Sequence, residues 1–317
     1  MRRKSIIFGI KGTIISSREK LFLRRNKPWG IILFSRNIQN LKQLKVLVND
    51  IKKIFKDENF PIMIDQEGGS VSRLSKIIDF NLFSQSYFGK LYKNEKKNFH
   101  ETYKIYIDTV SQILKYVGIN INTCPVLDVK LKNNNGFIGD RSFSNDPKIV
   151  RKLGNICVEL YRQNKIASVI KHIPGHGSTK KDSHKITPII NNSKKNLINN
   201  DFKPFIHSKS FLAMTSHVIY KSYDPINTCT HSKIIIENVI RKYINFKGLI
   251  ISDDISMKAL KFNIEMNAKK ALDAGCNLIL HCNGNIKEMN NLSKVVPFID
   301  KFTQKKTKQF YKFLGYT

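Results

Sequence analysis

Cysteine is scarce in this chain of 317 residues, and the cysteines present are not paired in sequence. There are five, an odd number, and none stands in Cys-x-x-Cys spacing; they are Cys124, Cys157, Cys229, Cys276 and Cys282. This pattern argues against a disulfide framework and against a cysteine zinc site. It favours a protein of a reducing compartment.

Long apolar runs are also missing. No run approaches the roughly 18 apolar residues that a membrane-spanning helix needs. The chain starts with basic residues, but the apolar run that follows them is interrupted at Lys11. That run is too short for a secretory signal, and no small-residue cleavage site follows it. We therefore expect a cytoplasmic protein with no membrane association.

Acidic residues are few: 24 Asp and Glu stand against 55 Lys and Arg, which gives a net charge of +31. Such a charge can indicate binding to nucleic acid or to an anionic membrane. The lysines are spread over the whole length, however, and there is no arginine-rich arm, helix-turn-helix signature or aromatic RNA-binding pattern. We expect no nucleic-acid partner, although a non-catalytic cationic binding protein stays an alternative. A cationic surface would also attract an anionic substrate.

Repeats, low-complexity segments and flexible linkers are absent, and the chain instead alternates between two patterns. Apolar runs of strand length occur at 5–10, 30–34, 61–64, 118–122, 167–170, 212–216, 248–252 and 278–281. Segments with helical spacing lie at 41–55, 103–116, 147–163, 232–243 and 264–274. Strands that are apolar throughout, separated by helices, favour a parallel sheet.

Eight strands are the number that closes a TIM barrel. The sequence therefore predicts an α/β protein with a single (β/α)8 TIM-type barrel over residues 1–317. An open doubly wound sheet is the alternative. It would usually carry Gly-x-Gly-x-x-Gly after the first strand, and the segment from Gly9 to Gly12 does not match.

Polar side chains follow nearly every predicted strand. They are Asp65, Asn122, Lys171, His172, His217, Asp253, Asp254, His281 and Asn283. In TIM barrels the active site lies at the C-terminal ends of the strands. The sequence thus predicts an active site at this end of the barrel.

The loop 171–184 is the most informative of these strand ends, because it combines three histidines with two glycines and an Asp-Ser-His triplet. Asp182 stands two residues before His184, close enough to orient its imidazole, and histidine can give and take a proton near neutral pH. His172, His176 and His184 could instead bind a metal, but no His-Glu-x-x-His helix is present. We predict neither a metal site nor a cofactor.

Asp253 and Asp254 end the seventh predicted strand, where successive side chains point in opposite directions. One of the two is expected to face the substrate and the other to cap or anchor the next helix. We assign Asp253 as a nucleophilic carboxylate beside the acid/base pair His184 and Asp182. Further polar side chains suit a polyhydroxylated ligand, and they are Asp65, Arg73, Arg141, Lys171 and His172.

These motifs resemble the family 3 glycoside hydrolases, in particular their β-N-acetylhexosaminidase branch. The matching segments are 30–37, 64–69, 122–129, 139–143, 171–184 and 252–257. The pattern Lys-His-x-Pro-Gly-His-Gly…Asp-Ser-His is the most specific of them. Two positions depart from the family: Ser70 stands where an arginine is usual, which puts a local salt bridge in doubt, and Asn277 replaces a frequent aspartate.

The resemblance implies a role for each matching residue. Asp253 corresponds to the nucleophile, and His184 to the general acid/base with Asp182 as its partner. The sugar-binding positions correspond to Asp65, Arg73, Arg141, Lys171 and His172. The implied enzyme is a retaining β-N-acetylglucosaminidase.

The implied substrate is N-acetyl-β-D-glucosamine linked to 1,6-anhydro-N-acetylmuramic acid, with or without a stem peptide, in peptidoglycan recycling. A monomer is expected. A phosphorylase that makes a sugar 1-phosphate is a second activity, since a neutral histidine would tolerate an anionic acceptor.

Overall fold

The computed structural model describes residues 2–131 and 137–315. Its strands are β1 (Lys4–Gly9), β2 (Pro28–Leu33), β3 (Ile62–Ile64), β4 (Ile121–Asn122), β5 (Ala167–Ile173), β6 (Ile189–Ile190), β7 (Leu212–Thr215), β8 (Ile219–Tyr220), β9 (Leu249–Asp254) and β10 (Leu278–His281). Its α-helices are α1 (Ser17–Asn26), α2 (Leu41–Phe55), α3 (Gln85–Asn94), α4 (Lys96–Val117), α5 (Pro147–Gln163), α6 (Lys194–Asn199), α7 (Ile264–Ala274), α8 (Ile286–Val295) and α9 (Lys301–Leu314). A π-helix spans Ile235–Tyr243, and short 3₁₀ turns lie at Ser35–Asn37, Gly139–Arg141, Lys203–Phe205 and Cys229–His231.

Eight of these strands form a closed parallel barrel, in the order β1, β10, β9, β7, β5, β4, β3 and β2. Each of the eight apolar runs predicted from the sequence contains or overlaps one barrel strand, so the (β/α)8 prediction is confirmed. Strands β6 and β8 form a separate two-stranded parallel sheet outside the barrel. This small sheet was not predicted, because two-residue strands leave no periodicity to detect.

The barrel strands bury side chains on both faces, which explains why they are apolar throughout. In β1, Ile6 and Phe8 belong to the layer between barrel and helices, whereas Ile7 belongs to the barrel interior. In β3, Ile62 and Ile64 likewise face the helices, and Met63 faces the interior. This alternation follows from the two-residue period of a strand. It directs the last residue of each strand either into the barrel mouth or towards the helices.

The helix ends follow the capping signals of the sequence. The Asp146 side chain accepts the N–H of Lys148 at the start of α5, and Pro147 occupies the first turn. Gly275 ends α7 with φ 114°, a left-handed conformation that glycine adopts without strain. The predicted helix at 103–116 begins earlier, at Lys96, because two turns of mostly polar residues precede its periodic part. No helix in the described part of the chain is both long enough and apolar enough to cross a bilayer.

Candidate active site

A cavity of about 180 Å³ opens at the C-terminal ends of the barrel strands. Seven of the eight predicted site residues line it, and they are Asp65, Arg73, Arg141, Lys171, His172, His184 and Asp253. The eighth, Asp182, does not line the cavity but contacts His184. The barrel therefore brings together residues that are widely separated in the chain.

A buried charged cluster forms one wall of this cavity. Lys171 Nζ lies 2.5 Å from Asp65 Oδ1 and 2.5 Å from Glu67 Oε1. Arg73 Nη2 contacts the other oxygen of Asp65 at 2.6 Å. Arg141 binds Glu67 through two hydrogen bonds of 2.8 Å each. Two carboxylates and three cations thus form one network in this wall of the cavity.

The charged cluster keeps its carboxylates ionised. Burial opposes ionisation of Asp65, but Lys171 and Arg73 hold its pKa well below its usual range. Burial also opposes ionisation of Glu67, and Arg141 and Lys171 lower its pKa. The pKa of Lys171 is raised despite burial, because both carboxylates face it. At neutral pH every member of this network is therefore charged, and each side chain is held in place by a charge-assisted hydrogen bond.

Asp128 holds the start of the loop 171–184. It is fully buried, and its Oδ2 lies 2.6 Å from Nδ1 of His172. Its Oδ1 accepts the backbone N–H of His176 at 2.7 Å. Burial opposes ionisation of Asp128, whereas His172 lowers its pKa. One carboxylate thus fixes both the ring of His172 and the path of the backbone four residues later.

His184 lies at the entrance of the cavity, with a side chain that is 64% exposed. Its Nδ1 lies 3.0 Å from Asp182 Oδ1, and the same oxygen accepts the backbone N–H of His184 at 2.8 Å. Burial opposes ionisation of Asp182, but these two contacts favour it and lower its pKa. The ionised carboxylate orients the imidazole, and Nε2 remains the ring atom that can exchange a proton with a ligand.

Asp253 lies half-buried in the cavity at the end of β9. Burial opposes its ionisation, but the nearby His217 and His172 lower its pKa, as does the backbone N–H of Asp254, which Oδ1 accepts at 2.8 Å. The carboxylate is therefore ionised at neutral pH. An ionised carboxylate that lines a cavity is competent as a nucleophile.

Asp254 also lines the cavity, contrary to the expectation that only one of the two aspartates faces it, but its carboxylate has other partners. Its Oδ1 accepts the backbone N–H groups of Ser256 and Cys282 at 3.1 and 3.3 Å, and its Oδ2 accepts the hydroxyl of Ser256 at 2.8 Å. It anchors the turn after β9 and the end of β10. It does not cap a helix, since α7 begins only at Ile264 and is capped by Asn263.

Sequence reasoning assigned no role to three residues that hold the site together. Glu67 and Asp128 bind the cations and the loop described above. His217 is fully buried between the Thr230 hydroxyl at 2.7 Å and the carbonyl oxygen of Asp254 at 3.0 Å. The sequence could have indicated a role for Glu67, because the three predicted cations Lys171, Arg73 and Arg141 require more negative charge than Asp65 alone provides.

The two departures from the family pattern have structural partners. The Ser70 hydroxyl donates to Asp140 Oδ1 at 2.7 Å, so a hydrogen bond to a carboxylate stands where the sequence left a salt bridge in doubt. Asn277 Oδ1 accepts the N–H of Ile250 at 2.9 Å at the opposite end of the barrel.

Within residues 2–131 and 137–315, no three histidine, cysteine or acidic side chains are grouped so as to hold a metal ion.

An ionised carboxylate and an accessible histidine in one cavity can together cleave a glycosidic bond. Fold and cavity thus define a barrel enzyme of the glycoside hydrolase class. Residues 12–308 match the family model described as the glycosyl hydrolase family 3 N terminal domain. The chain therefore belongs to glycosyl hydrolase family 3.

The names of similar proteins agree with this assignment. The chain is 32% identical over 299 residues to a β-hexosaminidase of Haemophilus influenzae, an alignment that covers 91% of this chain and 83% of the relative. The crystal structure of NagZ from Neisseria gonorrhoeae in complex with N-trifluoroacetyl-D-glucosamine superposes with a TM-score of 0.83 and 27% identity, over 99% of this chain and 90% of that one. A family 3 β-N-acetylglucosaminidase from Paenibacillus sp. gives a TM-score of 0.82 at 25% identity; the match covers 98% of this chain but 60% of that longer protein.

Proposed function

We propose that this chain is a retaining β-N-acetylglucosaminidase that releases N-acetylglucosamine from 1,6-anhydro-N-acetylmuramic acid, with or without its stem peptide, in the cytoplasm during peptidoglycan recycling. The observation that carries the proposal is the position of Asp253 and His184 in one cavity. The names of the relatives support the choice of an N-acetylated sugar, since they include β-hexosaminidases and a complex with an N-acylated glucosamine.

In the proposed mechanism a carboxylate oxygen of Asp253 attacks the anomeric carbon while His184 donates a proton to the leaving oxygen. The glycosidic bond breaks through an oxocarbenium-like transition state, and a glycosyl-enzyme ester forms. His184, now neutral, removes a proton from water, whose oxygen attacks the anomeric carbon and releases Asp253. Two displacements retain the β configuration.

The charged cluster provides the proposed sugar site. Its side chains offer donors and acceptors to the hydroxyl groups of the sugar ring, with Asp65 as an acceptor and Arg73, Arg141 and Lys171 as donors. The neighbouring His172 lines the same cavity and adds a further hydrogen-bonding group. In the described part of the chain, the buried Nε of Arg73 has no hydrogen-bond partner. A ligand hydroxyl in the cavity would satisfy this donor.

A histidine in the acid/base position suits an anionic substrate. A carboxylate there would repel the carboxylates of a muropeptide, whereas an imidazole carries no negative charge in either of its protonation states. The net charge of +31 acts in the same direction by attracting anions to the molecule.

The same features favour one second candidate, a β-N-acetylglucosaminide phosphorylase. In that reaction a phosphate oxygen replaces water in the second step and gives a sugar 1-phosphate. The cations Arg73, Arg141 and Lys171, which line the cavity, would contact this acceptor.

Release of p-nitrophenol from its N-acetyl-β-D-glucosaminide, with and without phosphate, tests both candidates. The proposal expects turnover that phosphate does not change, no turnover of the β-glucoside, and loss of activity in Asp253→Asn. Stimulation by phosphate with formation of sugar 1-phosphate would establish the phosphorylase. Absence of turnover on any substrate would refute both and leave a non-catalytic cationic protein.

A further inference from the structure

Arg241 lies at the end of the barrel opposite the active site, beside the starts of β9 and β10. Its Nη1 donates to the carbonyl oxygens of Phe246 and Gly248 at 2.9 and 2.7 Å, and its Nη2 donates to Asn277 Oδ1 at 2.8 Å. All three acceptors are neutral. Within the described part of the chain, Nε and one hydrogen of Nη2 have no acceptor, although a guanidinium has five N–H donors.

This guanidinium is a largely buried cation without a counter-ion among the described residues, since Arg241 forms no ion pair there. Burial lowers its pKa to about 10, so the group stays charged at neutral pH. Asn277 supplies an oxygen but no negative charge. Both donors on this oxygen, Arg241 and Ile250, fix the amide so that its Nδ2 points away from them. A partly buried cation that has no counter-ion in the protein is stabilised by an anion that binds from solution.

A cavity of about 560 Å³ opens in front of Arg241 and Asn277. Lys247, Lys306 and Phe302 also line it. The ring of Phe302 lies between two cations, with its centroid 5.4 Å from Arg241 Cζ and 5.7 Å from Lys306 Nζ. Burial, followed by the charges of Lys305, Arg241 and Lys247, lowers the pKa of Lys306. The cations in this cavity therefore repel one another.

Two acidic residues line the same cavity, and both have other partners. Asp300 Oδ1 accepts the N–H of Thr303 at 2.7 Å as the cap of α9. Glu237 Oε1 lies 3.7 Å from Lys233 Nζ on the helix surface. Neither forms a salt bridge with Arg241, Lys247 or Lys306.

We propose that this cavity, lined by Arg241, Lys247, Asn277, Phe302 and Lys306, binds an oxyanion of the phosphate type. The free edge of Arg241 and the amide of Asn277 would donate hydrogen bonds to the oxygens, and the two lysines would supply charge. The site is distinct from the catalytic cavity, because the barrel strands separate the two by on the order of 15–20 Å. The volume also accommodates a phosphomonoester whose organic part packs on Phe302.

Asn277→Asp is the decisive variant, because it preserves the hydrogen bonds and adds the missing negative charge. Binding of inorganic phosphate is measured by calorimetry and by thermal unfolding, against chloride at equal ionic strength. We expect phosphate to raise the melting temperature of the wild type. Asn277→Asp should unfold at a higher temperature in chloride and lose phosphate affinity by about tenfold or more.

A matched pair of lysine variants separates local from general electrostatics. Lys306→Gln removes a charge from the cavity, whereas Lys305→Gln removes the same charge from an exposed neighbour on α9 that does not line it. Phosphate affinity should fall several-fold in the first variant and stay within about twofold in the second. Equal losses in both variants, unchanged binding in Asn277→Asp, or no phosphate binding by the wild type up to about 10 mM would each overturn the proposal.

Glucose 6-phosphate as a second probe distinguishes the two sources of the anion. Tighter binding of glucose 6-phosphate than of inorganic phosphate, lost in Asn277→Asp, identifies a phosphomonoester site. Equal affinities identify a site for free phosphate. Since these measurements do not use glycosidase activity and compare the wild type with Asn277→Asp, a residue that does not line the catalytic cavity, their failure is distinguishable from failure of the function proposed there.

Discussion

Asp182 binds His184 twice with one oxygen, through the ring Nδ1 at 3.0 Å and through the backbone N–H at 2.8 Å. The residue that would donate the proton is thus oriented by a neighbour only two positions away in sequence. The histidine ring stays accessible while its orientation is fixed. A loop that carries both groups can therefore present an already oriented acid to the substrate.

Replacement of His184 should affect substrates according to their leaving groups. A poor leaving group needs protonation, so His184→Ala should lower its kcat/KM by about 10²–10⁴. A nitrophenolate leaves without a proton and should lose much less in the glycosylation step. The measurement is kcat/KM for a series of aryl and alkyl N-acetylglucosaminides. Asp182→Asn, which keeps the imidazole, should show the same trend more weakly; equal losses along the series would exclude His184 as the acid.

Lys171 is expected to be essential for stability as well as for binding. Its ammonium group is buried between Asp65 and Glu67. In Lys171→Met the methylenes remain, but two buried carboxylates lose a shared cation, which should cost about 3–5 kcal/mol of unfolding free energy. Urea unfolding of this variant, with exposed Lys180→Met as the control, measures the effect. A loss below about 1 kcal/mol would show that the charged cluster is not held by Lys171.

Asp201 should make stability depend on pH. It is buried, and the hydroxyl of Ser178, in the loop 171–184, donates to its Oδ2 at 2.7 Å. Burial raises its pKa to about 6, against 3.8 for the free group. A raised carboxyl pKa means that the folded protein binds the proton more tightly than the unfolded chain. Stability from this group is therefore present below pH 4 and is lost as the pH rises to 6, by roughly 3 kcal/mol in total.

The measurement is the difference in unfolding free energy between wild type and Asp201→Asn from pH 4 to pH 7. The difference isolates Asp201 from His176, which has the opposite effect. Burial lowers the pKa of His176 to about 4, so its contribution is lost as the pH falls from 6.5 towards 4. The wild type should lose stability relative to the variant between pH 4 and pH 6. A difference that does not change with pH would contradict the raised pKa.

The sequence predicts the barrel and the residues at its strand ends because both follow from local patterns. Apolar runs mark the strands, and a polar residue directly after a strand must lie at the barrel mouth. Glu67 and Asp128 could not be assigned in this way, since their partners Arg141 and His172 are 74 and 44 residues distant. Which buried cation meets which buried carboxylate depends on how neighbouring strands are placed, and single-strand patterns do not contain that information.

Gly177 should prove necessary for the position of the loop 171–184. A Cβ atom at this residue would lie 1.8 Å from the carbonyl oxygen of Val129, so any side chain must displace the loop from the barrel mouth. In Gly177→Ala the displacement carries Asp182 and His184 away from Asp253, and misplacement by about 1 Å can cost on the order of 10²-fold in rate. The effect should fall mainly on kcat. Gly12→Ala is the matched control, because a Cβ there meets nothing within 4 Å; if both variants retained activity, close packing against Val129 would not be what positions His184.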